Sequence, residues 1–175
     1  MLVKPAALLA LVLTVSLPFG AQSKRGPSTE EERAHALAFI ADFEKNPLGP
    51  NAKDERQWVT LWLIEVPDIH AQACLIFDMP KGSKKDSDVI FSALMFGGAR
   101  VAIEHKDEPV NPLAQFKAGV RSAVAVYELL LTAKAKDRDA VMDDLVTKRD
   151  AGTLDDFVTQ QTAKKCTDSA KIETH

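Results

Sequence analysis

Two cysteines in 175 residues, neither in a Cys-x-x-Cys pair, exclude a dithiol redox motif, a cysteine-rich zinc site and a haem-attachment sequence. No glycine-rich phosphate loop follows a stretch that reads as a strand. None of Ser83, Ser87, Ser92, Ser122 and Ser169 stands in the Gly-x-Ser-x-Gly setting of a strained nucleophile. Basic clusters are equally scarce. The longest, Lys81 to Lys85, reads as a loop, and Lys and Arg (22) are outnumbered by Asp and Glu (25). Nucleic acid and anionic lipid both reward clustered cations, so neither is expected as a partner. Aromatics are only 6% of the chain, and no internal repeat or linker divides it.

The chain opens with Lys4, an uninterrupted apolar run from Ala6 to Leu17, Pro18, and then small residues, the three parts of a secretory signal peptide. Ala21 and Ser23 suit the small pockets of a signal peptidase, which places cleavage after Ser23. A cut after Ala21 would put bulky Phe19 in the first of them. The run is shorter than the roughly 20 residues that span a hydrocarbon core, so no membrane anchor is expected after cleavage. The first cysteine is Cys74, too far on to carry a lipid at the cut. Cleavage removes one charge, Lys4, lowering the basic count from 22 to 21 and leaving a net charge of −4 on a secreted or periplasmic chain. In such an oxidising compartment, Cys74 and Cys166 are expected to form one disulfide.

Beyond Ser23 the chain reads as a polar spacer (24–27), one helical domain (28–166) and a disordered tail (167–175). Ser28 and Glu31 predict a capping box for a helix with Leu37, Ile40 and Phe43 on its buried face. Asn46 to Pro50 stops it. A second helix over Ala52 to Glu65 carries Trp58, Leu61, Trp62 and Glu65 at i, i+3, i+4 and i+7, and Pro67 ends it. Residues 69–77 fit either a helix capped by Asp68 or an alternating strand, and the helix is preferred for want of a sheet to join. Met79 to Asp88 reads as an exposed loop. Val89 to about His105 is helical, with Phe91, Leu94, Met95, Gly98, Val101 and Ala102 on one side, and Gly97 and Gly98 suggest close packing.

Asn111-Pro112 then opens the clearest element, where Leu113, Phe116, Val120, Ala123, Tyr127 and Leu130 step by three and four residues. Asp137 to Arg149 reads as a short helix closed by Gly152. Thr153 with Asp156 is a capping pair for a last helix bearing Leu154, Phe157 and Val158. The expected fold is all-α, an irregular antiparallel bundle of five or six helices with one disulfide, a short strand near 69–77 being the main alternative.

The candidate chemistry is thin. Among His35, His70, His105 and His175 no two share i, i+3 or i+4 spacing. His70 lies near Glu65 and Asp68, and His105 follows Glu104, so a small metal-dependent or acid–base enzyme needs the fold to gather them. Trp58 and Trp62 serve either as core anchors or, with Glu65, Asp68 and His70, as a groove or partner surface. The leading expectation is a non-enzymatic binding or structural module, without a cofactor, whose partner is a protein or a small apolar ligand. The alternatives are the acid–base enzyme and an envelope stress or folding helper.

Overall fold

The computed structural model describes residues 25–72, 74–80, 84–134 and 136–166. The expected signal peptide and the expected tail lie outside these residues. Six helices make up the regular structure of the described residues: α1 (Glu30–Phe43), α2 (Ala52–Glu65), α3 (Lys84–Glu104), α4 (Pro112–Ala133), α5 (Ala140–Asp150) and α6 (Leu154–Lys165). There is no strand among the described residues, and the molecule is an all-helical bundle.

α4 is the central element. Asn111 caps it by accepting from the Ala114 N–H, Pro112 occupies its first turn, and Phe116, Val120, Ala123, Tyr127 and Leu130 are buried along it. It packs on α3 along one side and on α5 and α6 along another. The α3–α4 pair is an antiparallel hairpin held close by glycine. A Cβ on Gly97 would lie 2.6 Å from the Ala118 carbonyl oxygen, and one on Gly119 would lie 2.4 Å from that of Leu94. Neither position has room for a side chain at this helix separation, which is the close packing that the paired glycines suggest.

α1 packs on α3, where Phe39, Phe43 and Phe96 form an edge-on aromatic cluster with ring centroids 5.5–5.9 Å apart. α2 leans on α1 and stands off α3. Polar ties close the far end of the bundle. The Asp86 carboxylate accepts from Lys134 Nζ at 2.8 Å, and this bond raises the Lys134 pKa. The Tyr127 hydroxyl donates to Asp143 and accepts from the Asp139 N–H, both at 2.8 Å, fastening α4 to the start of α5. Gly152 ends α5 in the left-handed conformation (φ 71°), where a β-carbon would be strained.

Several local expectations shift. The first cap is Thr29 with Glu32, one residue later than Ser28 with Glu31, because the Ser28 N–H and hydroxyl both donate to Asp68 (2.7 and 2.8 Å). Burial pushes the Asp68 carboxyl up, but the Ser28 bonds and the Arg33 charge outweigh it and hold the group below its ordinary range. Thr153 makes no side-chain cap, its hydroxyl donating instead to the Lys148 carbonyl. The expected exposed loop at 79–88 gives way to helix from Lys84, since Asp86 is buried in the first turn of α3 against Lys134.

Among the described residues of 69–77 neither the preferred helix nor the strand forms. This stretch is irregular, with Ile69, Ile76 and Phe77 in the core. The buried Gln115 side chain supplies what a helix or a neighbouring strand would have supplied. Its amide donates to the His70 carbonyl (3.1 Å) and accepts from the Gln72 N–H (2.6 Å). Farther along, the Cys74–Cys166 disulfide (Cα–Cα 6.1 Å) ties the same stretch to the end of α6.

Candidate functional site

The stand-off between α2 and α3 leaves a groove of about 750 Å³, floored by Ile69 to Gln72 of the irregular stretch. Its size falls within the roughly 300–1,000 Å³ typical of small-molecule sites. Both walls follow from helical periodicity. α2 turns Lys53, Arg56, Gln57 and Thr60 into the groove, followed by Leu61 and Ile64, at spacings of one, three and four. α3 contributes Asp88, Phe91, Ser92 and Met95 in the same rhythm. The apolar members are exposed to an unusual degree for such side chains: Ile64 75%, Leu61 49% and Phe91 42%. Past Gln72, Phe91 and Met95 also line a smaller apolar cavity of about 160 Å³ that reaches Cys74 and Leu75. One apolar surface therefore runs from α2 to the disulfide.

Five described side chains, those of Glu44, Arg56, Trp62, Ser122 and Thr162, bury a polar atom without a hydrogen-bond partner, and of these Arg56 is the one that lines the groove. Arg25, Arg33, Arg100, Arg121, Arg138 and Arg149 each place a guanidinium on a carboxylate or on Ser28. Arg56 lines the groove with Nη1 shut off from solvent and no hydrogen-bond partner among the described residues. Asp88 lines the same groove without pairing to it or to Lys53.

The residues singled out in the sequence are distributed over two faces. Trp62 is buried, and Trp58 stacks on it (centroids 5.9 Å apart) while meeting the His35 ring at 4.2 Å on the α1 side. The two tryptophans thus serve the α1–α2 contact, and the groove uses the other face of α2. Glu65 is exposed and pairs with Arg25 at 3.5 Å. Asp68 is committed to Ser28. His70 is exposed at the edge of the groove and also enters a second cleft of about 280 Å³, which His105, Glu108 and Gln115 line as well.

The fold thus brings His70 and His105 to one cleft. His105 Nδ1 lies 2.9 Å from a Glu108 oxygen, and this bond, with the Glu108 and Glu104 charges, raises its pKa. Among the described residues no three His, Cys, Asp or Glu side chains gather as a metal-holding group.

Sequence reasoning missed Gln115 and Arg56. Gln115 shares a helical face with Ala118, Gly119 and Ser122, and a long polar side chain on that small-residue stripe marks a place where another backbone passes. Arg56 has no such signal, since a lone arginine in the first half of a helix reads as a solvated one. Compared with family models, curated proteins and solved structures, the chain matches none of them.

Proposed function

We propose that this protein is a non-enzymatic, exported binding module that takes a small apolar ligand in the groove between α2 and α3. The observation that carries this reading is the run of exposed Leu61, Ile64 and Phe91 around a concave surface of ligand size. A helix pair packed only for stability would bury those side chains against each other. Here α2 is held away by α1 and by the irregular stretch, whose backbone is secured by Gln115.

Titration with N-phenyl-1-naphthylamine, a neutral dye that fluoresces in apolar surroundings, tests the reading. Saturable binding at one site is expected, with affinity falling about tenfold or more, a loss of 1.4 kcal/mol or greater, in Ile64→Glu and in Phe91→Ser. Both side chains are already exposed, so thermal stability should hardly change. No saturable binding, or equal binding by both variants, would remove the proposal.

Export rests on the Lys4, Ala6 to Leu17 and Ala21 to Ser23 pattern, and the Cys74–Cys166 bridge is compatible with an oxidising compartment. N-terminal sequencing of the protein from its native host is expected to begin at Lys24. An intact Met1 in the cytosolic fraction would overturn this.

A further inference from the structure

We infer that the ligand of this groove is an amphiphile with an anionic head group, received by Arg56 and Lys53, with its hydrocarbon chain along Leu61, Ile64, Phe91 and Met95. The inference rests on the binding role proposed above and adds the chemical class of ligand.

Two independent features lead to it. The first is the order of side chains along the groove face of α2. Cationic and polar groups come first, from Lys53 to Thr60, and the apolar Leu61 and Ile64 come after them. A ligand lying along this wall meets a charged section and then an oily one, the complement of a single-chain amphiphile. The second is the state of Arg56. A guanidinium with one nitrogen closed off from water, and no acceptor for it among the described residues, bears a desolvation cost that nothing there offsets. The other described arginines all have that cost met by a partner.

A carboxylate or similar head group in the groove supplies the counter-charge that Arg56 lacks, through the part of the guanidinium that is not closed off. Lys53, one helical turn earlier and without an ion pair among the described residues, adds a second positive charge at the same section. Asp88 on the α3 wall is the one carboxylate among the described residues lining the groove, so the charge facing a ligand there is net positive.

The alternative occupants predict different head-group behaviour. A purely apolar ligand would be indifferent to Arg56, a cationic amphiphile would favour Asp88, and a second copy of the chain would close the groove altogether.

The test is competition against the bound naphthylamine dye by dodecanoate, dodecanol and dodecyltrimethylammonium, which share one chain and differ in head group. Dodecanoate is expected to displace the dye at a concentration about tenfold or more below the alcohol, with the ammonium weakest. This preference should shrink as salt is raised. In Arg56→Gln the acid should lose its advantage over the alcohol, and Arg56→Lys should retain part of it.

The melting temperature of Arg56→Gln should hardly fall, because no ion pair or side-chain hydrogen bond of Arg56 among the described residues is lost. A purely structural arginine would give the opposite result. Equal displacement by all three compounds, or an acid preference that survives in Arg56→Gln, would overturn the inference and leave the apolar-ligand reading standing. Absence of dye binding in the parent protein, or a dimer in light scattering that excludes the dye, would overturn both.

Discussion

Val120→Asp is expected to leave the protein largely unfolded at room temperature. Val120 is fully buried on α4 within the apolar core, so the new carboxylate must either be desolvated or take up a proton. Losing the burial of the valine costs about 1.5–3 kcal/mol. Burying an unpaired ion costs several more. The sum rivals the roughly 5–15 kcal/mol that holds a domain folded. Phe116→Ala, which removes a buried ring from the same seam, should cost about 3–5 kcal/mol. Lys117→Ala, at a partly exposed position, should cost almost nothing. Urea denaturation of the three variants followed by circular dichroism gives the ordering directly. Similar small losses at all three positions would mean that α4 is not the element on which the bundle is built.

Loss of the disulfide is expected to be the next largest effect. Cys74 and Cys166 are 92 residues apart in sequence, and closing a loop of that length is worth about 4–5 kcal/mol in the chain-entropy description. The bridge also holds a segment that has no helix or ladder of its own. With the bridge removed, the described residues between Ile69 and Phe77 rely chiefly on the buried Ile69, Ile76 and Phe77 and on the hydrogen bonds of Gln115. The double variant Cys74→Ser, Cys166→Ser should therefore lose most of that stabilisation. It should also bind the naphthylamine dye more weakly, because Ile69 to Gln72 form the floor of the groove. The parent protein in excess reductant should behave the same way. A midpoint shift equivalent to less than about 1 kcal/mol would show that Gln115 and the core side chains secure the stretch unaided.

The parts of this molecule that were legible in the sequence are those governed by near-neighbour rules. The α4 seam repeats the helical period from Leu113 to Leu130, and the cap and the proline at its start act within one turn, so both the element and its buried face could be read directly. α2 ends just before Pro67 for the same reason. The cysteine pairing followed from there being only two. Where a residue's partner lies far along the chain, the local rule gave the wrong answer. Ser28 looked like a cap until Asp68, 40 residues on, claimed its hydroxyl and its N–H. Asp86 looked like part of a loop until Lys134, 48 residues on, paired with it.

Composition and periodicity by themselves determined that this chain forms a helical bundle around one long apolar helix, with a single disulfide, because those features depend on local geometry and on counting. The groove was decided only by tertiary structure. It exists because Gly97 and Gly119 draw α3 against α4 while α1 and an irregular stretch pinned by Gln115 and Cys74 keep α2 from closing on α3. A gap between two helices has no sequence period of its own. It is the difference between what several distant contacts pull together and what they hold apart, and that difference exists only once the chain has folded.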